Sequence, residues 1–166
     1  MRVPTRRGEE RALRKNDPFI TRQKYEELKK LLAELKKAHP RAAEEVKRLA
    51  ELGDFSENAE YQLAKGRLRG INQKILETEY ILNHSQIIEP NADLTTVNLG
   101  HFVILKNKGL EKRWQILGSS ETSPKAGVIS QHSPLGQAII GHKVNEKIIL
   151  KLPNNRNEEY EIIKIE

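Results

Sequence analysis

TRQKYEELKKLLAEL (residues 21–35) sets Tyr25, Leu28, Leu32 and Leu35 at steps of three, four and three. That is the spacing of a helix burying one narrow stripe against a partner. Thr21 is a suitable N-cap, and the stripe continues through Ala42, Val46 and Leu49, missing only at His39. Pro40 stands beside the miss. An interior proline costs a helix about 3 kcal/mol, so a kink or short break is expected there. After Leu52-Gly53-Asp54 a matching stripe runs through Tyr61, Ala64, Leu68, Ile71, Ile75, Thr78 and Leu82 and stops before Pro90. Two matched heptad runs joined by a few residues predict an antiparallel hairpin. At about 1.5 Å per residue, an arm of about 30 residues reaches roughly 40–45 Å, which makes a finger with its tip at about residues 52–60.

Beyond Pro90 the period changes. HFVIL (101–105), RWQIL (113–117), GVIS (127–130), KIILKL (147–152) and YEIIKI (160–165) are short, rich in Ile and Val, and separated by Gly, Asn, Ser or Pro. They read as strands of an antiparallel sheet. Pro134 to Gly141 reads as a short helix over one sheet face, with Ser133 as N-cap, proline first and glycine at its end. The expected class is α+β, divided into a basic arm (1–18), a coiled-coil finger (19–89) and a small sheet domain (90–166).

Composition agrees with an elongated shape. Of the 166 residues, 31% are charged and 37% hydrophobic, against roughly 25% and 45–50% in an average soluble domain. The absence of Cys excludes disulfide frameworks, thiolate zinc sites and thiol catalysis. No apolar run approaches the roughly 18–20 residues of a membrane span, and Arg6-Arg7 is followed by Gly-Glu-Glu rather than an apolar stretch. A cytoplasmic monomer is expected. The net charge of +6 is uneven: residues 1–18 hold six basic and three acidic groups, whereas residues 19–89 hold thirteen and twelve. The arm reads either as a solvated mobile tail or as a weak contact with nucleic acid phosphates.

The turn carries the candidate chemistry, in Gly53-Asp54-Phe55-Ser56-Glu57-Asn58-Ala59-Glu60-Tyr61. Asp54 and Glu57, three apart at a helix start, can project from one side of the first turn. Such a pair could offer magnesium two of its hard oxygen ligands, leaving the remainder to water, phosphate or another macromolecule. The same two residues also form an acidic capping box, with both charges favourable at a helix N-terminus. Spacing does not separate these readings. Behind the tip, Lys65, Arg67 and Arg69, with Lys47 and Arg48 on the first helix, read either as a solvated flank or as phosphate contacts. The five histidines lack a ligand spacing for zinc, and no Walker loop, GxGxxG or GxSxG occurs.

From about Ile20 to the C-terminus, this tip motif, the Pro40 position, the segment Ser133 to Gly141 and the closing strands resemble the bacterial transcript cleavage factors GreA and GreB. The resemblance implies a coiled coil inserted through the secondary channel of RNA polymerase and an FKBP-like domain docked at the channel rim. It further implies stimulation of the polymerase's own cleavage of backtracked RNA. Asp54 and Glu57 match the acidic tip pair that helps hold a second magnesium, shared with the polymerase active centre, and orients the attacking water. The flanking tip residues Gly53, Phe55, Ser56, Asn58, Glu60 and Tyr61 belong to the same motif. Lys65, Arg67 and Arg69 match a stretch that contacts the extruded RNA 3′ end. The tip context is closer to GreB, although Gly66 replaces a basic residue of that subgroup. His132, Ser133 and Pro134 match the docking loop, with His132 where GreB carries an acid.

On this reading the chain is not itself an enzyme, binds no cofactor alone, and acts as a transcription elongation factor on RNA polymerase. An alternative is a regulator that occupies the same channel and inhibits transcription without stimulating cleavage. A prolyl isomerase is disfavoured, because only Phe102, Trp114 and Tyr160 supply aromatic rings to the second domain.

Overall fold

The computed structural model describes residues 17–52, 59–89, 91–151 and 157–166. The chain divides into two compact units, one of residues Gln23–Ser85 and one formed by Met1–Arg22 with Gln86–Glu166. Phe19–Arg22 and Gln86–Glu89, which the heptad reading gives to the finger, therefore group with the sheet. Their backbones explain why. Strand β1 (Phe19–Ile20) pairs in parallel with β2 (Gln86–Ile87), and Ile20 is buried at 1% exposure. Two-residue strands are too short to leave a periodic signature.

The helical unit holds α1 (Arg22–Glu51), all but its first residue, and α2 (Ala59–His84). Every position of the predicted stripes is buried or half-buried, including His39, while their neighbours are mostly exposed. Ala42, Leu49, Ala64 and Thr78 are the most enclosed. Thr78 satisfies its hydroxyl by donating to the Lys74 carbonyl at 2.6 Å. Two ion pairs cross between the helices, Lys36 to Glu79 at 2.7 Å and Arg67 to Glu45 at 3.2 Å. As numbering rises along α1 it falls along α2, so the pair is antiparallel.

Of the kink or short break expected at Pro40, no break occurs: α1 runs unbroken through it. Pro40 is exposed, so water can reach the Lys36 carbonyl that the proline nitrogen cannot bond. Seam burial on either side carries the cost. Pro40→Ala should therefore stabilise the hairpin, by up to about 3 kcal/mol, read as slower amide exchange across residues 36–44.

The second unit is a five-stranded sheet in the order β5-β4-β3-β7-β6. Its strands are β3 (Phe102–Asn107), β4 (Leu110–Leu117), β5 (Val128–Ser130), β6 (Lys147–Lys151) and β7 (Asn157–Ile165). All five predicted strands are present, but the sheet is mixed rather than antiparallel. β5 lies parallel to β4, with Gln115 opposite Val128. The chain between them makes two 3₁₀ turns, Ser119–Glu121 and Pro124–Ala126, long enough to carry β5 back to the same direction. Helix α3 (Pro134–Ile139) has Ser133 as its N-cap and sends Ile139 into a core with Val97, Val103, Leu105, Ile116, Ile129, Ile148, Ile162 and Ile165. Trp114 packs against this core with Lys112 over its ring at 4.0 Å.

Candidate functional site

Gly53, Asp54, Phe55, Ser56, Glu57 and Asn58 lie outside the described residues. The two tip residues that follow open α2. Glu60 is an exposed carboxylate in its first turn, where the helix dipole favours negative charge. Tyr61 is half-buried as the first residue of the α2 stripe, and the Lys65 ammonium stands 5.8 Å from its ring centre.

The basic run is split, as its spacing implies. Lys65, Arg67 and Arg69 are all exposed on α2. Lys65 leans toward Tyr61, and Arg67 reaches across to Glu45 on α1. Arg69 makes no ion pair among the described residues. At its exposure an Arg67–Glu45 pair contributes at most about 1 kcal/mol, so a phosphate could compete for this guanidinium. Beside Arg67, Gly66 has no atom within 4 Å of where a Cβ would stand. Mid-helix glycine costs roughly 0.5–1 kcal/mol relative to alanine. Gly66→Lys should therefore raise finger stability by about that amount while adding the missing charge, measurable as a higher unfolding midpoint.

The loop at the start of α3 is closely determined. The Ser133 hydroxyl donates to the Ser130 carbonyl at 2.7 Å and accepts from the Gly136 amide at 3.0 Å. Its hydrogen-bonding capacity thus goes largely into shaping the turn. A Cβ on Gly136 would lie 2.1 Å from the Ser130 carbonyl oxygen, so only glycine permits this approach. The groups turned outward are the exposed Pro134 and His132, whose side chain is 61% exposed. Sequence reasoning missed the residue behind His132: Asp17, assigned to the arm, has its side chain 1% exposed and an oxygen 3.4 Å from His132 Nε2. Its neighbour Pro18 is also held, its carbonyl accepting from the Gln86 amide at 2.7 Å. The mobile-arm reading thus fails for residues 17 and 18, while residues 1–16 lie outside the described residues.

Phe102, Trp114 and Tyr160 do not all lie on one face of the sheet. Trp114 lies opposite Val103 in the ladder, so the adjacent Phe102, opposite Gln115, points to the other side. There the Arg113 guanidinium covers its ring at 3.8 Å. Tyr160 packs against the core and donates to Glu158 at 2.8 Å. Burial, helped by that bond and the carboxylate's charge, pushes its phenol up to about 12. No aromatic-lined peptide pocket follows from these positions. Among the described residues, no group of three or more His, Cys, Asp or Glu could hold a metal ion, and no helix is long and apolar enough to cross a membrane.

The described residues thus form an antiparallel helical hairpin with an exposed basic flank, followed by a small mixed-sheet domain with a shaped surface loop. The comparisons make this specific. Residues 18–87 match the N-terminal model of transcription elongation factors, and residues 91–166 match the GreA/GreB C-terminal model. The chain is similar to transcription elongation factor GreA of Thermotoga maritima, 36% identical over 149 residues that cover 88% of this chain and 95% of the relative. It is 39% identical to GreA of Thermosipho melanesiensis over 144 residues, 85% of this chain and 92% of that protein. Among solved structures it is similar to GreA factor homolog 1 of Thermus thermophilus, with 25% identity, a TM-score of 0.42, and 90% and 99% of the two chains covered. The chain belongs to the GreA/GreB family of transcription elongation factors.

Proposed function

We propose that the chain acts on RNA polymerase by inserting its helical hairpin through the secondary channel and stimulating the polymerase's own cleavage of backtracked RNA. The observation carrying this reading is that Asp54 and Glu57 both fall in the short stretch of sequence between Glu51, the last residue of α1, and Ala59, the first of α2. The turn of the finger therefore keeps both members of the acidic pair. Behind it, Lys65, Arg67 and Arg69 are exposed along α2, available to the phosphates of an extruded RNA 3′ end. Base on the flank with acid at the turn holds a strand by its backbone and leaves the bond to be cut near the carboxylates.

Two carboxylates suit magnesium in ligand type but are too few to hold it alone. Asp54 and Glu57 would therefore contribute oxygens to an ion shared with the polymerase active centre. The ion, when bound, neutralises charge on the phosphate under attack and acidifies water. The same carboxylates can accept a hydrogen bond from the attacking water and so orient it. His132 and Pro134 would meet the polymerase at the channel rim, on a turn shaped by Ser133.

The test adds the protein to polymerase complexes stalled in a backtracked register, with magnesium, and follows the labelled RNA. Release of a 3′ fragment faster than from the complexes alone, with none from the protein in the absence of polymerase, is the expected result. Slowed synthesis without a fragment would overturn the cleavage reading in favour of an inhibitory channel-binding regulator.

A further inference from the structure

Asp17 is a buried carboxylate with no Lys or Arg paired to it among the described residues. Its charge is met by hydrogen-bond donors instead. Oδ1 accepts from the Phe19 amide at 3.1 Å, and the Gln131 side-chain amide lies 3.1 and 3.0 Å from Oδ1 and Oδ2. Oδ2 also accepts from the Ser119 amide at 3.2 Å and its hydroxyl at 3.4 Å. Ser119 Oγ in turn lies 3.0 Å from Ser130 Oγ, which accepts from the His132 amide at 3.0 Å. The carboxylate thus reaches the 131–134 loop by three routes: through the Gln131 side chain, through Ser119 and Ser130 to the His132 backbone, and directly to the His132 ring. Removing it would leave the part-buried Phe19 amide and Gln131 side-chain amide without this acceptor, which is costlier than never having buried them.

The approach that creates this cluster is built into the backbone. A Cβ on Gly118 would lie 1.8 Å from the Phe19 carbonyl oxygen, so glycine there lets the 17–20 segment lie directly on the end of β4. A second tie holds the same segment. The Thr21 amide and hydroxyl both donate to Glu121, at 2.7 and 2.6 Å.

We infer that Asp17 is a positioning residue for polymerase docking: its carboxylate holds the Gln131–Pro134 turn in the conformation that presents His132 and Pro134. The inference rests on the docking role proposed above. Where an acid is expected at position 132, this chain presents an imidazole backed by an acid contributed from the other end of the chain. Asp17 itself is enclosed and touches no partner, so it acts through the loop.

Full-length Asp17→Asn, Asp17→Ala and Pro134→Ala are compared with wild type. Three quantities are measured: affinity for polymerase by fluorescence anisotropy, the half-saturating concentration and plateau rate of fragment release, and the unfolding midpoint. Both Asp17 variants should weaken binding and raise the half-saturating concentration, Asp17→Ala by about tenfold or more, with the plateau unchanged. Asp17→Asn keeps the shape of the side chain and decides the question where the alanine variant fails to fold. A folded Asp17→Asn that binds as wild type overturns the inference. So does a lowered plateau at unchanged half-saturation, which would mark a loss of folded protein. Pro134→Ala reads the docking role directly: wild-type affinity there removes that role and the inference with it, whereas weakened binding confined to Pro134→Ala removes the inference alone. The anisotropy measurement reads Asp17 even if no fragment is released.

Discussion

Asp54→Asn combined with Glu57→Gln should abolish fragment release from backtracked complexes, lowering its rate on the order of 10³-fold, while affinity for polymerase changes by less than about twofold. The amides match the carboxylates in size. What they lose is negative charge and the capacity to bind a hard cation. Binding should persist because the proposed contacts of the flank and the 131–134 loop are untouched. The pair also separates the two readings left open by spacing. Asn caps a helix about as well as Asp, so a purely structural capping role would leave cleavage near wild type. Normal release from the double variant would overturn the catalytic role of the tip.

The largest stability effect is expected at Gly118. Its backbone is extended, with φ −70° and ψ 162°, a conformation open to any residue, so the requirement for glycine is one of space. The missing Cβ would stand 1.8 Å from the Phe19 carbonyl oxygen and 2.9 Å from its carbon. A backbone group cannot swing away as a side-chain tip can. Gly118→Ala must displace the 17–20 segment and disturb both the β1–β2 pairing and the Asp17 cluster. We expect a loss of about 3 kcal/mol or more, a fall in the sheet unit's unfolding midpoint of roughly 10 °C or more. Gly109→Ala is the control. It has φ +83° with no atom near its Cβ, and should cost only about 1 kcal/mol for the left-handed backbone. Equal small effects at both positions would contradict the close approach.

Much of the architecture was legible because it is locally periodic. The stripes from Tyr25 to Leu49 and from Tyr61 to Leu82 report a surface that must be covered, and the residues they name are the shielded ones. Ser133, Pro134 and Gly141 marked the short helix because capping chemistry acts within a few residues. Pro40 does not break the helix because its cost is local while the seam that outweighs it is tertiary. The direction of β5 was not legible: VIS pairs equally well either way, and two intervening turns decide it.

By itself, then, the sequence determined two heptad arms, an acidic pair at their turn, a basic flank behind it and a second domain of short strands. All of these follow from interactions between near neighbours. Only the tertiary structure decided that Asp17, 114 residues from Gln131, closes the loop at the head of α3. Composition had counted it as one acidic residue of a basic arm. A carboxylate's role depends on what surrounds it, and here its surroundings are donors brought together by a glycine that lets two distant segments touch.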